Sequence, residues 1–258
     1  ARTLLGAVGE VAWVADEIGR SVGLPPELGG IPLDRIGATG FGLAAAVEAA
    51  EPFSGIKARG ARVAVQGFGS VGKHAARFLV AKGAILVAVA DTAGMVQAPE
   101  GLDVAALIAL KDAGRSVRDH DAGRKGHAEE IVGAECDIWI PAARPDVLRA
   151  DNIDRLRAKL VVQGANIPAT AEAEAAMHRR GILSIPDFIA NAGGVICAAV
   201  EYSGGSEGDA LRTIQDKVRT NTAEVLRQAA AGKTTPRAAA LDLAKRRILA
   251  ASASRRRF

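Results

Sequence analysis

Three glycines in Gly67-Phe68-Gly69-Ser70-Val71-Gly72 stand at the spacing G-x-G-x-x-G, directly after the apolar run Arg62-Val63-Ala64-Val65-Gln66. This is the chemistry of phosphate binding by backbone. Gly67 permits a tight turn from strand to helix, Gly69 lets the main chain approach a pyrophosphate, and Gly72 lets the helix pack on the sheet. Phe68, Ser70 and Val71 fill the loop, and the N–H groups of a helix over 71–82 point at the anion, where the helix dipole favours negative charge. A second apolar strand over 84–90 ends at Asp91, about 20 residues past Gly72, where a carboxylate can accept from an adenine-ribose hydroxyl. Its charge repels a 2′-phosphate, so the expected cofactor is NAD, with NADP possible if basic residues from other loops intervene. Asp91 could instead cap a loop.

These residues need elements to hold them. Helices are expected over 4–20 (Leu4, Val8, Val11, Val14 and Ile18 at near-helical spacing), 40–51, 71–82, 103–113, 146–157 and 169–180. Strands are expected over 61–66, 84–90, 136–141, 159–163 and 182–185, with a polar loop over 114–127. The alternation of strand and helix predicts an α/β fold, a doubly wound Rossmann-type parallel sheet. From Gly193 the chain reads as helical to its end, broken at 203–208, which predicts a helical C-terminal extension whose charged faces are solvated. The expected organisation is a helix and connection over 1–30, a dinucleotide-binding domain over 31–200 and C-terminal helices over 201–258.

Composition limits the alternatives. Of 258 residues, 49% are hydrophobic and only 3% aromatic, as suits small side chains packed on a sheet buried on both faces. The net charge of +4 draws on Arg255, Arg256 and Arg257, read as a solvated tail; with no aromatic stacking platform, a nucleic-acid partner is not expected. No apolar stretch long enough to cross a membrane and no leader pattern occur in the given sequence. Cys136 and Cys197 have no C-x-x-C spacing, and Cys136 reads as packing, so a reducing cytoplasmic location is expected. His74, His120, His127 and His178 form no ligand pattern, and no metal site is expected.

Several further segments, in order, carry a resemblance. They are Gly37-Ala38-Thr39-Gly40-Phe41-Gly42, the glycine loop, Gly101-Leu102-Asp103-Val104, Cys136-Asp137-Ile138 to Pro141-Ala142-Ala143, Gln163-Gly164-Ala165-Asn166, and Ile185-Pro186-Asp187 to Asn191-Ala192-Gly193-Gly194-Val195. Together they resemble the glutamate/leucine/phenylalanine/valine dehydrogenases over roughly residues 10–200, and glutamate dehydrogenases most. The resemblance implies reversible oxidative deamination of an L-amino acid to a 2-oxo acid and ammonia. It implies Thr39 near the nicotinamide carboxamide, Ala142, Ala143, Gly164 and Asn166 along the nicotinamide side, and Asn191 and Gly193 facing a small amino-acid substrate. Taken without the family, Thr39 could cap the helix over 40–51 and Asn166 could be a turn residue before Pro168.

Two departures qualify that implication. The family's catalytic lysine, in a Gly-Gly-x-Lys-Gly-Gly-like segment of a preceding substrate domain, and its catalytic aspartate have no counterpart here. No catalytic residue is therefore named, and the chain by itself is expected to bind cofactor and turn over little. It reads as a fragment of a longer dehydrogenase or a shortened relative, and a full-length form could be a homo-oligomer. Ala198 stands where glutamate-specific relatives usually carry a serine that meets the substrate's side-chain carboxylate, which favours an apolar amino acid or a degraded site. A non-catalytic dinucleotide-binding regulatory module is the alternative; a hydroxy-acid dehydrogenase would need a histidine in the 139–143, 163–166 or 187–194 segments, and none is there.

Overall fold

The computed structural model describes residues 2–253, and the side chains from residue 10 onward. The arginines 255–257 and the side chains of Leu4 and Val8 lie outside what it describes. An opening helix α1 (Arg2–Ile18) carries Trp13, Val14 and Ile18 exposed. A Gly/Pro-rich connection leads to a short helix α2 (Leu33–Ile36) and then α3 (Ala38–Ser54), which starts two residues before the expected helix and ends at Gly55 in the left-handed conformation.

The sheet follows: β1 (Arg62–Gln66), α4 (Ser70–Ala81), β2 (Ile85–Asp91), β3 (Gly94–Gln97), α5 (Val104–Asp112), β4 (Arg124–Gly126), β5 (Ile138–Pro141), β6 (Leu160–Val162), α6 (Ala171–Arg179) and β7 (Leu183–Ile185). Its strand order is β4-β3-β2-β1-β5-β6-β7. β1 pairs in parallel with β2 on one side and β5 on the other, so the winding direction reverses between β1 and β5. A ligand crevice belongs at the carboxyl ends of those two strands.

Two expectations change. The sheet is not wholly parallel: β3 and β4 add to its edge as antiparallel strands. β4 falls in the polar loop expected over 114–127 and β3 in a stretch given no element, because three- and four-residue edge strands show too little alternation to register. The helix expected over 146–157 is absent. Its apolar residues Val147, Leu148, Ile153 and Leu156 are buried as the spacing implied. However, Asp146 takes a left-handed φ of 52°, and the Leu148 N–H donates to the Pro168 carbonyl at 2.9 Å in a parallel bridge with Ala169. Only Ile153–Arg155 make a 3-10 turn. Tertiary pairing took the backbone groups a helix would have used.

Helices cover both faces. On one, α3 packs against α4 and, with the C-terminal helices α8 (Gly193–Tyr202), α9 (Glu207–Gly232) and α10 (Pro236–Ala253), shares one apolar cluster with β1 and β5. Ala38, Ala44, Ala46 and Ala50 of α3 are fully enclosed, which explains the alanine content: neighbouring helices can approach closely only over small side chains. On the other face Trp139, Ile131, Leu156 and Met177 form a second cluster, and the Trp139 indole N–H donates to the Ile131 carbonyl at 3.0 Å. The expected boundary after residue 200 falls within the last turn of α8. A short helix α7 (Asp187–Ala190) joins β7 to α8. Among the described residues, no helix is long and apolar enough to cross a membrane.

Candidate functional site

Two clefts meet at the carboxyl edge of β1 and β5. The first, about 880 Å³, is lined by Gln66 to Val71, by Asp91, Thr92 and Lys111, and by Ala142, Ala143 and Arg144. The second, about 590 Å³, is lined by Thr39, Ala142 to Pro145, Gly164, Ala165, Asn166, Asn191, Gly194, Val195 and Ala198. Val71, Ala142, Ala143 and Arg144 line both, so the clefts adjoin at the crossover point.

The glycine loop divides its work. Gly67 has φ of 92°, and a Cβ there would stand 2.6 Å from Cβ of Ala143. A Cβ on Gly72 would stand 1.8 Å from the Gly67 carbonyl, so Gly72 sets the helix–strand approach and lines neither cleft. A Cβ on Gly69 would meet nothing within 4 Å: that space opens into the first cleft. Gly69 is also the N-cap of α4 and offers no side-chain cap, which leaves the first helical N–H groups available to an anion. A diphosphate fits this cradle of space, free donors and helix dipole.

Asp91 is more committed than its place at the strand end suggests. Its carboxylate accepts from Lys111 Nζ at 2.7 Å, Val117 N–H at 3.0 Å, the Ser116 hydroxyl at 2.9 Å and Ala93 N–H at 3.0 Å. That uses about the four acceptor sites a carboxylate has. Burial pushes its carboxyl pKa up, but Lys111, Val117, Ser116 and Ala93 outweigh burial and hold it below the ordinary value. A ribose hydroxyl must share or displace one of these partners. Lys111 and Ser116, which nothing in the local spacing marks, come from α5 and the turn after it.

In the second cleft Thr39 sits inside the first turn of α3, not at its cap, and its hydroxyl makes no hydrogen bond within the described protein. The Asn191 amide donates to Asn166 Oδ1 at 2.8 Å, which ties the 163–167 turn to the 187–191 turn. Ile167 next to Asn166 takes φ of 49°, a conformation that strains a β-branched side chain by roughly 1–3 kcal/mol. Gly193 is buried at the crossing of α8 and α3, where a Cβ would stand 2.1 Å from the Ala38 carbonyl; it lines neither cleft. Ala198 does line the second cleft, beside Val195 and Leu33. Among the described residues, no Lys, His, Asp or Glu lines it, and Arg144 is the one charged residue that does. Cys136 is buried among apolar neighbours, where burial and Asp137 push its thiol to about 12, as befits a packing residue.

Comparison with known proteins agrees with this architecture. The family model for glutamate/leucine/phenylalanine/valine dehydrogenases matches residues 29–256. A glutamate dehydrogenase of Aeropyrum pernix is 38% identical over 84% of this chain and 55% of its own length. An NADP-specific glutamate dehydrogenase of Saccharolobus shibatae is 40% identical over 77% of this chain and 49% of its own. The chain thus spans about half the length of the curated relatives it matches. Among solved structures, a hetero-hexameric glutamate dehydrogenase of Thermus thermophilus in its Leu-bound form superimposes with TM-score 0.82 at 31% identity, covering 93% of this chain and 60% of that one. An L-tryptophan dehydrogenase of Nostoc punctiforme gives 0.66 at 26% identity, covering 83% of this chain and 60% of that one.

Proposed function

The chain belongs to the glutamate/leucine/phenylalanine/valine dehydrogenase family, and from that premise we propose that it is the cofactor-binding part of an NAD(P)-dependent amino-acid dehydrogenase. The observation that carries this reading is that the two clefts adjoin at the ends of β1 and β5, with Val71, Ala142, Ala143 and Arg144 lining both. It allows a dinucleotide to lie with its diphosphate at Gly69 and Ser70, its adenosine toward Asp91 and its nicotinamide toward Thr39, Gly164 and Asn166. The dinucleotide-binding unit is then 31–200, with α9 and α10 bracing it.

When bound, NAD(P)⁺ supplies the two-electron acceptor for oxidation at the α-carbon of an L-amino acid; hydrolysis of the resulting imine leaves a 2-oxo acid and ammonium. This chain's residues bind and orient. Ala142, Ala143 and Gly164 give a flat surface against which a ring can lie, and Thr39 and Asn166 can hold a carboxamide without adding charge. Proton transfer to and from the amine needs a titratable group, and among the described residues no Lys, His, Asp or Glu lines the second cleft. We therefore expect turnover to require a partner segment or chain, and the chain alone to be inactive. Leu33, Val195 and Ala198 favour an apolar amino-acid side chain over glutamate. Pairing with Lys111 offsets the charge of Asp91, so NAD is proposed with NADP admitted.

Titration of the chain with NADH, followed by nicotinamide fluorescence, should saturate at one equivalent; no binding overturns the assignment. The regulatory-module reading draws on the same missing proton-transfer group. A panel of L-amino acids with the product of the complete reading frame separates the two: turnover of any one supports the dehydrogenase, and binding without turnover supports the module.

A further inference from the structure

Arg237, at the start of α10, lies in the part of the chain whose charged faces read as solvated, yet its side chain is only 26% exposed and holds three other segments at once. Its guanidinium donates from Nε to Glu174 Oε2 of α6 at 2.7 Å, and from Nη2 to Gln163 Oε1 and to Asp187 Oδ1, each at 2.9 Å. Gln163 is fully buried and passes the connection on, donating to Glu174 Oε1 at 2.7 Å and to the Ser184 hydroxyl at 3.0 Å. The other oxygen of Asp187 accepts the N–H of Ile167 at 2.8 Å, the residue held at φ 49°.

The two turns that line the second cleft therefore hang from one cation. Gln163 begins the turn that carries Gly164 and Asn166. Asp187 opens α7, which delivers Asn191 one turn later, and Asn191 donates back to Asn166. A left-handed isoleucine persists only where its surroundings over-determine it, and the bond from Ile167 N–H to Asp187 is one such constraint. The guanidinium suits the task because its planar fork presents several donors in fixed directions, which an ammonium does not.

We propose that Arg237 is a positioning residue for the nicotinamide side of the cleft: by gripping Gln163 and Asp187 together it sets the placement of Asn166 and Asn191. The proposal rests on the cofactor reading given above. It does not place Arg237 in contact with cofactor or substrate.

The experiment compares NADH with ADP-ribose, which has the adenosine and diphosphate but no nicotinamide. Arg237→Lys keeps the charge between Glu174 and Asp187 and loses the fork; Arg237→Met removes both. Expected in Arg237→Lys are a roughly ten-fold weaker affinity for NADH, ADP-ribose affinity within about two-fold of the parent, and faster hydrogen exchange at the Ile167 amide. Arg237→Met should show the same pattern more strongly; if it fails to fold, Arg237→Lys alone decides. Equal losses for both ligands, or no loss for either with exchange at Ile167 unchanged, would overturn the positioning role and leave the cofactor reading standing. A parent that binds neither ligand overturns the cofactor reading itself.

Discussion

Gly69 and Gly72 belong to one motif and do opposite things. Gly69→Val adds atoms to open space, so the variant should fold with nearly the parent's melting temperature and lose NADH binding in a fluorescence titration. Gly72→Val drives its Cβ onto the Gly67 carbonyl and should cost about 3 kcal/mol of stability, visible in urea unfolding. Asp91 supplies two further tests. Its pKa is depressed in the folded chain, so its stabilising contribution is present above the unfolded value of about 3.9 and is lost as pH falls through the lower folded value. Asp91→Asn should therefore be less stable than the parent at neutral pH, and the gap in melting temperature should narrow as pH falls from about 5 toward 2. Lys111→Ala frees one acceptor position on Asp91 Oδ2, which keeps the Val117 N–H, and removes a cation from the cleft edge, so the ratio of NAD to NADP affinity should rise. An unchanged ratio would mean that the 2′ position lies away from this pair.

At the scale of elements, the wall of the second cleft depends on a contact between α8 and the Gly/Pro-rich connection before α2. Glu201, buried near the end of α8, accepts N–H groups of Gly23 at 2.8 Å, Leu24 at 2.9 Å and Ile31 at 3.2 Å. One carboxylate replaces the secondary-structure partners this irregular segment lacks. Glu201→Gln turns one acceptor into a donor facing an N–H. It should cost about 1–3 kcal/mol and speed hydrogen exchange at Gly23, Leu24 and Ile31 while leaving the amides of β1 and β5 protected. Uniform loss of protection across the sheet would instead make Glu201 part of the global core.

Over the whole molecule, the clefts run between the glycine loop and α4 on one side and the turns after β5, β6 and β7 on the other. A ligand that bridges them binds the folded chain only. NADH at about 100 times its dissociation constant should then add about 2.7 kcal/mol. For a chain of this size that is a rise in melting temperature of roughly 5–10 °C. Calorimetry with and without NADH checks it, and the rise should vanish in Gly69→Val.

The strands β1 and β2, the glycine turn and α4 were legible in the residues because their signals are local. An apolar run has one period, a tight turn needs glycine, and a close helix–strand contact excludes a Cβ. The family segments fall on both rims of the cleft: Ala142, Ala143, Gly164, Asn166, Asn191 and Ala198 line one cavity, and Gly193 lies at a helix crossing instead. What needed the tertiary structure were partners far apart in the chain. Lys111 reaches the carboxylate of Asp91 from a helix that is apolar from Val104 to Leu110 and shows no polar face that would mark it. Leu148 pairs with Ala169 where its spacing promised a helix. Arg237 enters a buried cluster from a helix that reads as solvated. A charge or a backbone N–H carries no record in sequence of which distant acceptor it will meet; that is decided only when the sheet brings the carboxyl ends of its strands to one edge.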